Sequence, residues 1–287
     1  MTIKEMSEKI VCPRCQSSFD KHDPAVWSCS SCAYTVPLFQ GKPVFSGHPQ
    51  EQQPQDKIER GADKGTAWRR ANWRFIHAIA ASLPAGADVL DVGAGRGDFR
   101  QIFAHHSYIG LDIYPYPEID LAVDLIEINP FKERSFDLVV LANVIEHVYE
   151  YRKLISRCAF LLKPGGQLLI TVPFLLKLHQ EPVDYHRYTH YALFQLAEEN
   201  QLSVARFEVY TNPFALLDEG IADVWENVLP LRQRIDHLHT KVKVALIQKL
   251  ANSMKANQAD GVVKPVQENS NPRVLGYMCL FQKDALQ

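Results

Sequence analysis

From Thr66 onward, apolar residues recur at helical spacing. Trp68, Phe75, Ile76, Ile79 and Leu83 share one face until Pro84-Ala85-Gly86 stops the run, so a helix is expected there. Downstream, short apolar runs alternate with further helical patterns. The runs predict strands at 88–93, 108–112, 121–124, 136–142 and 167–173, then at 204–210 and 274–282. Strands alternating with helices are the signature of an α/β fold, a parallel sheet covered by helices. Between the last two strands, Phe214 to Met254 is mostly helical in pattern and the remainder to Pro272 is polar. A connection of that length is seldom a plain loop, so 214–272 reads as a helical insertion. Its apolar stripe (Trp225, Leu229, Ile235, Leu238, Val242, Leu246) lies among Arg232, Arg234, Lys241, Lys243 and Lys249. That face suits a lid, a peripheral membrane contact, or a helix packed on the domain with its charges in solvent.

The first residues follow a different logic. Cys12-Pro-Arg-Cys15 and Cys29-Ser-Ser-Cys32 place two thiolate pairs in which each two-residue gap lets both sulfurs face one ion. Four such ligands predict a closed, structural Zn2+ site with no position left for substrate. The polar, aperiodic stretch from 48 to 66 has linker composition. The chain therefore divides into a zinc ribbon (1–47), a linker (48–66) and a larger domain (67–287).

Composition narrows the function. With 46% hydrophobic and 22% charged residues the chain is an ordinary globular protein, and 31 bases against 33 acids leave a net charge of -2. No global positive field is available to gather nucleic acid. No apolar run approaches the length of a membrane-spanning helix, and the N-terminal residues are too polar for a secretory signal, so a cytoplasmic location with reduced thiols is expected. Cys158 and Cys279, in apolar surroundings, read as packing residues.

Candidate chemistry starts at Gly93-Ala-Gly95-Arg-Gly97-Asp98, a glycine turn after the first strand of the larger domain, expected to open a helix. Such glycines let a ligand approach the backbone closely. The dinucleotide fingerprint G-x-G-x-x-G is not met, because the third glycine comes one residue early and Asp98 takes its place; nicotinamide cofactors are disfavoured. Asp112, ending the next strand, offers a carboxylate able to accept both ribose hydroxyls of an adenosine.

These residues, with Ser135-Phe-Asp-Leu-Val-Val-Leu-Ala-Asn-Val-Ile-Glu-His-Val148 and Leu162-Lys-Pro-Gly-Gly-Gln-Leu-Leu-Ile-Thr171, resemble the class I S-adenosylmethionine-dependent methyltransferases over roughly 67–201. The resemblance implies a Rossmann-like, seven-stranded, mostly parallel sheet with helices on both faces. It implies that Asp91, Gly93, Ala94 and Gly95 line the methionine end of the cofactor and that Asp112 holds the ribose. Ile113 would pack on the adenine, Asp124 and Leu125 would sit at its amino edge, and Asn143 would lie near the sulfonium. For Ile113 and Leu125, core packing is the competing reading. Asp137, at the amino end of its strand, reads as structural. The segment Tyr34 to Phe45 resembles the tail of zinc ribbons that accompany methyltransferases.

Past the fifth strand, His179-Gln-Glu-Pro-Val-Asp184-Tyr-His186-Arg187-Tyr-Thr189 resembles a loop of methyltransferases from sugar, cell-envelope and natural-product pathways. There His179, Asp184 and His186 would act as base or orienting partner, and Arg187 would hold an anionic group. Alternatively, Asp184 pairs with Arg187 to brace the loop and Thr189 caps the next helix. Glu146-His147 is the second choice for catalysis. The leading expectation is an enzyme that methylates a small-molecule, glycan or lipid-linked acceptor, at oxygen. An rRNA or tRNA methyltransferase stands second, supported by the cation–aromatic run from Trp68 to Phe75 and disfavoured by the balance of acids and bases in the first sixty-six residues. A non-catalytic partner protein of the same fold stands third.

Overall fold

A computed structural model describes residues 9–45, 64–211 and 274–285, with Gly61, Ala245, Leu246, Lys249 and the backbone of 262–264 besides. The N-terminal unit is a small antiparallel sheet in spatial order β1 (Phe19–Asp20), β2 (Val26–Cys29), β3 (Thr35–Phe39) and β4 (Lys42–Pro43). The larger sheet contains β5 (Asp88–Val92), β6 (Ser107–Asp112), β7 (Leu121–Ala122), β8 (Phe136–Ala142), β9 (Leu162–Pro173), β10 (Leu202–Thr211), β11 (Val262–Lys264) and β12 (Gly276–Lys283). Its order is β11-β10-β12-β9-β8-β5-β6-β7, with β5 to β9 mutually parallel and β12 antiparallel to both neighbours. All the expected strands are present, so the fold is the expected Rossmann-like, mostly parallel sheet. The short edge strand β11, inside the expected insertion, is additional. Apart from β11 and helical Ala245, Leu246 and Lys249, the 214–272 segment lies outside the described residues.

Alternation along the strands sends side chains to two faces. Val89, Leu138, Val140, Leu169 and Met278 meet helix α1 (Ala67–Ser82) through Trp73, Phe75, Ile76 and Ile79. Their neighbours Leu90, Val139, Leu141, Ile170 and Cys279 meet α2 (Tyr151–Leu161) and α3 (His190–Glu199) through Ile155, Cys158, Leu193 and Leu196. Each such fully buried apolar side chain contributes roughly 1.5–3 kcal/mol. Thr66 caps α1 by accepting from the Arg69 N–H at 3.2 Å, and Thr189 caps α3 by accepting from Ala192 at 3.3 Å. Cys158 and Cys279 are buried packing residues, as expected.

The small unit is docked on the larger sheet. Ile10 bridges to Phe131 and Val44 to Ala122 of β7, the Phe45 N–H donates to Ala122 O at 2.8 Å, and Lys9 pairs with Asp88 at 2.9 Å. Trp27, Val36 and Phe45 belong to the same core as Leu121, Val123 and Phe131. Strand order reverses at β5, which has β6 on one side and β8 on the other; ligands of open parallel sheets bind at the carboxyl ends around that point.

Candidate active site

The glycine turn leaves β5 at this switch point. Gly93, Gly95 and Gly97 all have left-handed backbone, φ 72, 52 and 69°. The chain stays in turns past these glycines, which corrects the expected helix opening: only a short 3-10 turn, Arg100–Phe103, follows. At Gly93 a β-carbon would come within 2.6 Å of the Val144 side chain, whereas above Gly95 the space is open. The turn is tied to the end of β6, where Ala94 N–H donates to Leu111 O at 2.9 Å and Gly95 N–H donates to the Asp112 carboxylate at 2.9 Å. The other Asp112 oxygen accepts from Tyr114 N–H at 3.1 Å, and burial raises the pKa of the group.

Around this cradle the expected cofactor residues divide. Ile113 is exposed at the tip of β6. Asp124 accepts from Ile126 N–H at 2.8 Å, closing its own turn, while the Leu125 side chain is committed to the core and leaves only main chain to face a ligand. Asp91 points to the α1 face, buried, and accepts from the Tyr108 hydroxyl at 2.7 Å; burial pushes its pKa up to about 7. Asn143, at φ 56°, accepts from the Trp68 indole N–H at 2.8 Å. Trp68 packs against Tyr210 with ring centroids 5.4 Å apart, so α1 covers the carboxyl ends of β8 and β10. The site roles of Trp68 and Tyr108 escaped the sequence reading, because only tertiary contact distinguishes them from other core aromatics; the place of Trp68 in the first turn of a capped helix was the one available signal. Trp73 and Phe75 are buried on the inner face of α1 and Arg69 pairs with Asp98, so those two rings are not a surface for stacking bases.

The loop after β9 folds back over the end of β8. Asp184, its side chain 2% exposed, accepts from both Arg187 guanidinium nitrogens at 2.6 and 2.8 Å and from His179 N–H at 2.9 Å. That guanidinium holds the carboxyl far below the usual carboxylate range, which makes Asp184 a brace and a poor proton acceptor. His186 Nε2 faces Tyr149 O at 3.4 Å, away from His179. His179 instead meets His147, ring to ring, at 4.7 Å. Beside them Glu146 is fully buried, neither carboxyl oxygen has a hydrogen-bond partner among the described residues, and burial pushes its pKa up to about 8. Asp137 accepts from Asp88 N–H and Lys163 at 2.8 Å, a structural role at the far end of the sheet.

In the small unit the four cysteine sulfurs converge: Cys12 lies 3.7 Å from Cys32, and Cys15 lies 3.4 Å from Cys29 and 3.6 Å from Cys32. Four thiolates around one zinc at ~2.3 Å require sulfurs roughly 3.8 Å apart, so the cluster is compatible with that ion.

The family described as methyltransferase domain matches residues 66–204. Over those residues, just under half of the chain, the sequence is similar to methyltransferase domains. A protein of Mycolicibacterium smegmatis described as a probable S-adenosylmethionine-dependent methyltransferase is 33% identical over 117 residues, 37% of this chain and 45% of that protein. A tRNA (carboxymethyluridine(34)-5-O)-methyltransferase of Arabidopsis thaliana is 31% identical over 115 residues, 36% and 28% of the two chains. A ubiquinone biosynthesis O-methyltransferase of Xanthomonas axonopodis pv. citri is 32% identical over 128 residues, 39% and 52%. The chain thus spans about half the length, or less, of these curated relatives. The matched range contains the glycine turn, Asp112, Glu146-His147 and the bracing loop, and includes neither the last sheet strand nor the cysteine cluster.

Proposed function

We propose that this chain transfers the methyl group of S-adenosylmethionine to an oxygen of a small-molecule, glycan or lipid-linked acceptor, and that the cysteine cluster holds a structural zinc. One observation carries the reading: a turn with three left-handed glycines sits at the switch point of the sheet, its Gly95 N–H on the Asp112 carboxylate and open space above Gly95. The cradle fits the cofactor, which supplies an activated methyl on a positively charged sulfur. Asp112 would take the ribose hydroxyls, exchanging its bond to Gly95 for them. Ile113 would cover the adenine, with Asp124 and the main chain of Leu125 at its edge. Asp91, Gly93 and Ala94 would line the methionine end, and Asn143, fixed by Trp68, would face the sulfur. The protein's main contribution is alignment and exclusion of water, for which the cover formed by Trp68 and the loop held by Asp184–Arg187 are suited. In this reading Asp184 is a positioning residue, and the acceptor's proton leaves through the neighbourhood of Glu146, His147 and His179, not through Asp184.

Calorimetry with S-adenosylmethionine tests it. Asp112→Ala removes charge-assisted hydrogen bonds worth roughly 1.5–3 kcal/mol, so affinity should fall at least about tenfold. Unchanged affinity overturns the assignment. A panel of hydroxylated acceptors and bulk tRNA, assayed with labelled cofactor, then separates the acceptor classes: incorporation into tRNA alone would replace the small-molecule reading.

A further inference from the structure

Glu146, His147 and His179 form a second cluster of ligand-type side chains, distinct from the cysteines, and one donor atom from each lies within 4.8 Å of the other two. Proximity is the smaller part of the observation. The Nδ1 of His147 faces Val183 O at 2.9 Å, and the Nδ1 of His179 faces Lys177 O at 3.3 Å and the Asp184 carboxylate at 3.1 Å. Carbonyl and ionised carboxylate oxygens only accept, so both rings carry their proton on Nδ1 and present a bare Nε2. Metal-binding imidazoles are oriented in this way, by a carbonyl or carboxylate behind the ring. In front of them, Glu146 is 0% exposed, and its two oxygens and the His147 Nε2 are buried without hydrogen-bond partners among the described residues. Buried polar atoms without partners are costly, and three together mark a place that a ligand completes.

We propose that Glu146, His147 and His179 bind one divalent first-row transition-metal cation beside the cofactor cradle. Two imidazoles and a carboxylate favour such ions over calcium, which takes an all-oxygen shell. Glu146 Oε1 and His147 Nε2 are 3.8 Å apart, and ligands about 2.0–2.2 Å from a shared ion lie at most ~4.4 Å from one another, so only a small closure of His179 is needed. Loop and turn are already fastened for it: the Glu146 main-chain oxygen accepts from Tyr185 and His186 N–H at 2.9 and 3.2 Å. Three protein ligands leave coordination positions open, unlike the closed four-thiolate cluster. The site begins two residues beyond Val144, the residue packed against Gly93, so the open positions suit an oxygen of the methyl acceptor. This use by the acceptor rests on the methyltransferase reading; the binding of the ion does not.

The test uses the full chain with its zinc in place and titrates Mn2+, a hard ion that does not compete for the thiolates, reading the free ion by electron paramagnetic resonance. The unmodified chain should bind one Mn2+ saturably. Glu146→Gln, which keeps shape and removes the charge, and His179→Ala, in the loop, should each weaken binding at least tenfold, with circular dichroism melts confirming that both fold. No saturable binding by the unmodified chain, or binding that persists in both variants, overturns the site. Cofactor calorimetry on the unmodified chain is independent of this result: loss of cofactor binding with Mn2+ retained would reject the methyltransferase reading and leave the ion site standing.

Discussion

Asp91 shows how a single residue is held in tension by its position. It ends up inside the protein with one phenolic partner, and burial, only partly offset by the Tyr108 hydrogen bond, lifts its pKa from 3.8 to about 7. An acid whose folded-state pKa is raised keeps its proton in the native state at pH values where the unfolded chain has lost it. Stability is therefore highest below about pH 4 as far as this residue is concerned, and declines as pH rises to about 7, by an amount of order 4 kcal/mol. The melting temperature of Asp91→Asn, which has no proton to lose, should lack that decline relative to the unmodified chain; identical pH profiles would show that Asp91 is ionised normally. Cofactor offers a second readout, since a bound methionine ammonium favours the carboxylate and should draw the proton off.

Among the elements, the glycine turn is the least tolerant. Gly93→Ala must place a β-carbon 2.6 Å from Val144 in a backbone with φ 72°, so both backbone strain and overpacking oppose it. A loss of about 2–4 kcal/mol is expected in chemical denaturation, with cofactor binding abolished; a variant that binds cofactor normally would mean the turn has slack that the geometry denies. The ribbon is the other sensitive element. Cys12→Ser with Cys29→Ser should lose one metal equivalent by elemental analysis. The melting temperature of the methyltransferase domain should drop by several degrees, because Trp27, Val36 and Phe45 share its core. The central strands were legible because their apolar runs are short and punctuated, as at Asp88–Val92 before the glycines. The helix expected after Gly97 was not, since helical spacing in the following residues does not reveal that three left-handed glycines already divert the chain. Nor did spacing reveal that Leu162 starts β9: Pro164-Gly165-Gly166 looks like a turn, yet the strand runs through it across a register shift opposite Phe136–Leu138. In the loop, the Asp184–Arg187 brace was legible only as the alternative to a catalytic Asp184, and the bidentate contact favours that alternative. The meeting of His147 with His179 was not, as it depends on how the loop folds back.

For the molecule as a whole, the described residues include no helix long and apolar enough to cross a membrane. The small cysteine-bearing unit touches the larger sheet unit directly: Lys9, Ile10, Val44 and Phe45 all contact it. Val44 and Phe45 attach at β7, the last strand of the sheet on that side, whose Ala122 oxygen is occupied by Phe45 N–H. An outermost strand with unpaired main-chain groups is a template for another chain. Residues 42–45 act as a stopper on this one. A chain beginning at residue 48 should bind cofactor yet self-associate at concentrations where the full chain does not, as read by light scattering, and trimming the protein to a minimal catalytic unit would expose an adhesive border.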